Sequence, residues 1–276
     1  MLSQDRKRLY RSYKLWSILL LTILIVTVVW KGRSQANIRP HLNQGMAREV
    51  SSETQLLSHV SPHPLPESLA NWMAPEGTDD YFDQIQATPF GYLVWSRFPI
   101  TIYLDPNPPS DSPRDTVGQL TPFSLSDEQQ QWVETVNTAI SEWNQYLPLE
   151  QVWSQDNADI VIAASAPPLQ WNHPRARTAE TTYRLYLDTT TNHQTVLRQR
   201  YQILLSPRQT PSYLVATARH ELGHALGIWG HSPLGTDALY FSQVRTPQMI
   251  SARDINTLKK IYQQPTQIGW PVPTPD

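Results

Sequence analysis

The segment from His220 to His231 constrains this chain more than any other, because its sequence is HELGHALGIWGH. Residues four apart lie on one face of an α-helix, so His220 and His224 can direct both imidazoles at one metal ion. Glu221 stands beside the first histidine, where its carboxylate can reach a water on that ion. Zinc lowers the pKa of such a water toward about 7, and a nearby carboxylate can then take its proton. The segment therefore predicts a helical zinc site for hydrolysis.

A catalytic zinc needs a third protein ligand besides two histidines. A later glutamate is excluded, because no glutamate follows Glu221. The carboxylates that do follow it are Asp237, Asp254 and the terminal Asp276. His231 is nearer, and Gly227 can adopt a left-handed conformation that ends the helix and returns the chain toward the metal. We therefore predict His231 as the third ligand of a single zinc ion, with Asp237 as the alternative.

These residues resemble the signature of the metzincin zinc metalloproteases, most closely the matrixin-like branch, which is H-E-x-x-H-x-x-G-x-x-H. The matching residues are His220, Glu221, His224 and Gly227. The family pattern would place its third histidine at position 230, whereas this chain has Gly230 there and His231 one place later. The resemblance implies a metalloendopeptidase in which Glu221 is the general base, which takes the water's proton and passes it to the leaving amine.

Metzincins also place a methionine in a tight turn beneath the zinc. The corresponding stretch is 236–241, where Leu239 occupies the methionine position. Because exchanges between Leu and Met are usually tolerated, we expect Leu239 to pack as a floor under the site. The resemblance further implies that substrate pairs in extended form with an edge strand, for which 178–187 is the candidate. Residues 233–248 would form the specificity pocket, with Tyr240 either near the zinc or packed as a loop aromatic.

An apolar run at residues 15–29 predicts a membrane-spanning helix. Trp16 and Trp30 stand at its ends, as interfacial aromatics do. Basic residues precede it, as in a positive-inside flank: Arg6, Lys7, Arg8, Arg11 and Lys14. A cleaved signal peptide is the alternative, but Lys31 and Arg33 separate the run from a small-residue cleavage site at 34–36. We expect a single-pass anchor with the catalytic domain outside the cytoplasm, or a secreted domain if cleavage occurs.

Composition narrows the classes of partner. The formal net charge is −2, so no basic excess indicates nucleic acid. The chain has no cysteine, which excludes disulfides and cysteine-rich zinc modules. No calcium-loop pattern accompanies the zinc motif, and no pattern indicates an oligomeric state. The expected partners are a peptide or protein substrate and a membrane.

Local patterns predict an α+β fold. Strands are expected at 98–104, 159–164, 181–187 and 198–205. A capping box at Ser126 and Gln129 opens a long helix, Pro211 opens the zinc-binding helix, and Ser251 with Asp254 caps a last helix. This order is the one expected of a metzincin-like catalytic domain: a twisted mixed sheet, a long helix, an active-site helix and a C-terminal helix, preceded by one transmembrane helix. The expected divisions are a basic N-terminus and anchor at 1–31, a proline-containing stalk at 32–88, a metallopeptidase domain at 89–264 and a proline-rich tail at 265–276.

Two further functions compete with a zinc endopeptidase. The first is a catalytically inactive metzincin-like domain that binds peptides or a partner and holds a structural zinc. The displaced His231 and Leu239 favour it, whereas Glu221 argues against it because a structural site does not need that carboxylate. The second is a metal-dependent hydrolase of a non-peptide bond.

Overall fold

A five-stranded β-sheet forms the centre of the domain. The structure is a computed structural model that describes residues 61–106, 125–169, 177–242 and 244–272. The strands are β1 (Ile100–Asp105), β2 (Leu149–Gln151), β3 (Ile160–Ala163), β4 (Ala179–Thr189) and β5 (Thr195–Leu205). Their order across the sheet is β2-β1-β3-β5-β4, with β4 at one edge. The β2–β1, β1–β3 and β3–β5 pairs are parallel, and β4 runs antiparallel to β5.

Four of the five strands coincide with the apolar patterns of the sequence. The β3 strand is buried at all four positions, as expected of a strand covered on both faces. The β2 strand was not predicted, because it is only three residues long and none of them is buried. Its backbone pairs with β1 from Ile100 to Ile102, so tertiary pairing rather than local pattern determines it.

Four α-helices accompany the sheet in the described part of the chain. They are α1 (Glu67–Ala70), α2 (Asp127–Trp143), α3 (Pro211–Ala225) and α4 (Ala252–Tyr262). The capping boxes predicted at Ser126 and at Ser251 are both present. Thr210 precedes α3 at the N-cap position, with Pro211 as first residue, but its side chain makes no capping hydrogen bond. The described chain is therefore a mixed α/β domain with one five-stranded sheet and few helices.

The α2 and α3 helices bury the faces that their periodicity predicts. The buried residues of α2 include Trp132, Val136, Ile140 and Trp143, and those of α3 include Leu214, Ala218 and Leu222. Trp143 also donates its indole N–H to the carbonyl oxygen of Arg219 at 3.0 Å. Because Arg219 immediately precedes His220, this bond fixes α3 one residue before the first histidine of the motif.

The described parts of the segments assigned to a stalk and a tail, residues 61–88 and 265–272, contribute to the packed core. Leu69 and Tyr81 are almost completely buried, although both precede the expected domain boundary at residue 89. Thr266 and Ile268 are equally buried, although both follow the expected boundary at 264. The described residues 61–88 and 265–272 are mostly irregular, so they carry no periodic signal, but their apolar side chains still fill the core.

The predicted membrane anchor, residues 1–31, lies outside the described residues. Within the described ranges, none of the helices combines the length and the apolarity needed to cross a bilayer.

Candidate metal centre

A glycine turn ends the α3 helix directly after the two histidines of the motif. Gly227 has φ of 125°, a conformation that L side chains rarely adopt. The N–H of Gly227 donates to the His224 carbonyl at 3.1 Å, and the N–H of Ile228 donates to the Gly223 carbonyl at 3.0 Å. These two bonds are the pair that defines a Schellman motif. The predicted role of Gly227 is confirmed, and the turn carries the chain back toward His231.

Three histidines converge at this turn. The ligand atoms of His220, His224 and His231 all lie within 4.8 Å of one another, and the Nε2 atoms of His220 and His224 are 3.1 Å apart. They are the one group of three or more potential metal ligands in the described part of the chain. Three imidazoles in this arrangement can hold a metal ion and leave a fourth position for water.

Backbone carbonyls orient two of the three imidazoles. The Nδ1 atom of His220 lies 2.9 Å from the Ala238 carbonyl oxygen, and that of His224 lies 2.8 Å from the Ile228 carbonyl oxygen. A carbonyl only accepts hydrogen bonds, so each Nδ1 carries the proton and each Nε2 presents its lone pair. Outer contacts of this kind fix the tautomer and the ring direction of metal-binding histidines.

Burial keeps the imidazoles of His224 and His231 neutral. It lowers the pKa of His231 to about 4, with a further lowering from the nearby His220. It also lowers the pKa of His224 well below 6.5, again assisted by neighbouring histidines. A metal ion at neutral pH therefore does not compete with protons for these two nitrogens. The donor set consists of imidazole nitrogens without thiolates, which suits zinc among other borderline metals.

Glu221 lies beside the histidines with its carboxylate buried. Glu221 is only 9% exposed, and its Oε2 accepts a 2.6 Å hydrogen bond from the Thr181 hydroxyl. Burial raises the pKa of this carboxyl, and His220 and the Thr181 hydrogen bond oppose that change. Thr181 is on β4, so the edge strand reaches the motif directly. Nothing in the sequence distinguishes Thr181 from the other threonines of that strand.

A tight packing contact forms the floor of the site. Leu239 is fully buried, and a Cβ built on Gly223 of α3 would lie 2.6 Å from its Cδ2 atom. Gly223 thus lets the helix rest on Leu239 between the two ligand histidines. The floor predicted for Leu239 is present.

Asp254 holds that floor in place. It is fully buried, and its carboxylate accepts the Ala238 N–H at 2.9 Å and the Tyr81 hydroxyl at 2.6 Å. Since the Ala238 carbonyl orients His220, Asp254 acts on the histidine group through the single residue Ala238. The sequence predicted Asp254 only as a helix cap, because the partner Tyr81 is far away in the chain.

Asp237, the alternative third ligand, is engaged elsewhere. Its Oδ2 accepts hydrogen bonds from the Ser232 hydroxyl and from Nε of Arg253, the latter at 3.0 Å. It is not part of the metal-binding group. The structure therefore groups His231, rather than Asp237, with His220 and His224.

A cavity of about 220 Å³ opens beside His220. One wall is the face of α3 that carries Tyr213, Thr217 and His220, and Glu221 also borders the cavity. The opposite wall is formed by residues from Asp237 to Gln248 and includes Tyr240. A pocket is thus present at 233–248, where the sequence placed one. Tyr240 lines it, and the centroid of its ring lies 4.4 Å from that of the Phe241 ring.

The chain just before His231 is pressed against an earlier segment. Gly230 forms an isolated bridge with Ile85, and the Trp229 carbonyl accepts the Gln86 N–H at 2.9 Å. A Cβ on Gly230 would lie 2.2 Å from the Gln84 carbonyl oxygen. The glycine that displaces the histidine by one place is therefore required by close backbone contact.

Gly230→Ala is expected to lower the free energy of unfolding by about 1–3 kcal/mol, because the backbone of 84–85 must shift to admit a methyl group. Urea unfolding of the metal-free protein measures this. Gly235→Ala is the matched control, since a Cβ there meets nothing closer than 3.6 Å. Equal stability of both variants would contradict the contact.

Leu239→Met is expected to leave metal content unchanged and to cost less than about 1.5 kcal/mol of stability, because the two side chains have similar volumes. Leu239→Ala should cost about 2–5 kcal/mol, since it leaves a cavity under Gly223. Thermal unfolding and metal analysis of both variants check this. Loss of metal from the methionine variant would show that the leucine is specifically required.

The fold and the site together define a mixed α/β domain with a three-histidine group that could hold a metal ion. No protein-family model matches the chain, and no curated protein is similar to it in sequence.

Proposed function

We propose that this protein is a zinc-dependent metalloendopeptidase of metzincin type, anchored in a membrane by residues 1–31 and acting outside the cytoplasm. The observation that carries the proposal is the buried Glu221 carboxylate beside three convergent histidines. A site that only stabilises the fold has no need of an additional carboxylate held at the metal. Zinc bound there supplies a Lewis acid that polarises a peptide carbonyl and lowers the pKa of a water.

The protein's own groups provide proton transfer and orientation. Glu221 takes the proton of the attacking water and delivers it to the leaving amine. The Thr181 hydroxyl, donating to Glu221 Oε2 at 2.6 Å, holds the carboxylate in one direction. The carbonyls of Ala238 and Ile228 hold the two helical imidazoles for the same ion.

Two features beside the site suit an extended peptide. The β4 strand is at the edge of the sheet, and Thr181 places it next to Glu221. An edge strand can pair with a peptide through backbone hydrogen bonds. The adjoining cavity of about 220 Å³ can receive one substrate side chain. The order of elements, with a long helix after β1 and two helices after β5, also agrees with the metzincin resemblance.

The direct test is zinc analysis and peptide cleavage with the full-length protein in detergent. We expect one zinc per chain and cleavage of some members of a diverse peptide library. A chelator should abolish cleavage, and added zinc should restore it. Stoichiometric zinc without cleavage would favour the inactive binding domain, and folded protein without zinc would refute the proposal.

A further inference from the structure

Arg219 is a buried cation that the proposed chemistry does not use. It immediately precedes His220 and is only 5% exposed. Its Nε and Nη2 atoms donate to the two carboxylate oxygens of Glu142, with Nη2 at 2.8 Å from Oε1. Its Nη1 atom donates to the Gln248 carbonyl oxygen at 3.0 Å. A guanidinium can make these three bonds at once because its donors form a rigid planar fork.

These bonds join three separate parts of the domain. Glu142 belongs to α2, Arg219 belongs to α3, and Gln248 lies in the irregular segment that precedes α4. The Glu142 pair fixes the guanidinium plane and thereby directs an Nη1–H at the Gln248 carbonyl. Arg219 therefore links the segment around Gln248, which is neither helix nor strand, to the packed helices α2 and α3.

Residues 244–250 depend on such contacts from outside. No backbone-to-backbone hydrogen bond between described residues involves this segment. Two side chains of α3 hold its carbonyls instead: Tyr213 donates to Arg245 at 3.0 Å, and Arg219 donates to Gln248 at 3.0 Å. The first of these bonds is exposed, whereas the second is partly buried and supported by the ion pair.

The segment that Arg219 holds is a wall of the cavity beside the metal site. Val244, Pro247 and Gln248 all line that cavity. Since its other wall is the α3 helix itself, the Arg219–Gln248 bond sets the separation of the two walls. A change in that separation alters which side chain fits, without moving the histidines.

We propose that Arg219, locked by Glu142, is a positioning residue that determines the size of substrate side chain admitted to this cavity. The proposal rests on the function proposed above. It assigns Arg219 no part in the chemical step, because its guanidinium is engaged by Glu142 and Gln248 and does not line the cavity.

The test compares Arg219→Lys and Glu142→Gln with the wild-type protein, all full-length and loaded with zinc. Lysine keeps the charge but cannot bond Glu142 and Gln248 together, and glutamine weakens the pair without removing its shape. The probes are three peptide hydroxamates that differ only in an alanine, leucine or phenylalanine side chain, and their affinities are measured by calorimetry. A tight pocket gives the best-fitting of these hydroxamates an affinity about tenfold or more above that of the others.

In both variants we expect the ratio between the highest and the lowest hydroxamate affinity to fall by at least about threefold. Hydrogen exchange at 244–250 should be faster, and zinc affinity should stay unchanged within about twofold. Arg198→Lys is the control, because Arg198 pairs with Asp188 in the β4–β5 hairpin, outside the cavity. It should leave all three measurements unchanged.

An unchanged hydroxamate ranking in both variants would overturn the role of Arg219, even if stability fell. Wild-type protein that binds zinc but no hydroxamate of any size would overturn the proposed function as well. A general loss of zinc in the variants would show that Arg219 supports the metal site rather than the cavity, and would also overturn the proposal.

Discussion

Glu221→Ala is expected to lower the rate of peptide hydrolysis by about 10²–10⁴-fold, the usual contribution of a positioned general base. Zinc should remain bound, because the metal-binding group consists of the three histidines and does not include Glu221. The variant also leaves the Thr181 hydroxyl without its carboxylate partner, but that hydroxyl has a second acceptor in the Glu221 carbonyl at 3.2 Å. The fold should therefore survive, and only the proton transfer should be lost.

The measurement is kcat/KM on a peptide cleaved by the wild-type protein, together with zinc content of both proteins. Glu134→Ala is the control, since Glu134 is an exposed carboxylate on α2 that accepts a hydrogen bond from Gln130 and lies outside both the cavity and the edge strand. It should change kcat/KM by no more than a few-fold. Cleavage that persists at the wild-type rate in Glu221→Ala would remove Glu221 from the mechanism.

His231→Ala is expected to weaken zinc binding by more than the 10–100-fold typical of losing an outer-shell partner. The reason is that His231 completes the three-nitrogen group, and two histidines alone make a poor site for catalytic zinc. Competition with a chromophoric chelator gives the dissociation constant. Activity at limiting zinc should fall in parallel and recover in part with excess zinc.

Two comparisons make this result specific. His193→Asn removes a histidine from an exposed turn where φ is 59°, a conformation that asparagine tolerates, and it should leave zinc affinity unchanged. Asp237→Asn removes the alternative ligand and should also leave zinc bound, since Asp237 is paired with Ser232 and Arg253. Loss of zinc in the aspartate variant but not in His231→Ala would reverse the assignment of the third ligand.

Features with local causes could be predicted from the sequence. Three such features affect only residues close to them in the sequence. They are the apolar spacing in α2, the capping boxes at Ser126 and Ser251, and the glycine that ends α3. The grouping of His220 with His224 follows from helix geometry alone. His231 could be added because Gly227 defines how the chain leaves the helix.

Features that depend on distant partners could not be predicted. The β2 strand exists through its pairing with β1, and Thr181 reaches Glu221 only because the sheet brings β4 to α3. Asp254 and Tyr81 lie 173 residues apart, so neither residue alone indicates their hydrogen bond. The irregular residues 61–88 lack any period, and their burial follows from tertiary packing alone.

The contact between the two ends of the domain has a consequence for its biosynthesis. The Tyr81 hydroxyl donates to Asp254, and Ser61 forms a bridge with Thr266. Residues at the start of the described chain therefore pair with residues near its end. At about 5–20 residues per second, roughly 9–35 s of translation separate Tyr81 from its partner. During that interval the Tyr81 hydroxyl has no Asp254 to accept its hydrogen bond, whereas Ala238 is made only 16 residues before Asp254. The order of synthesis thus keeps the early segment around Tyr81 from docking through this bond until α4 has been made.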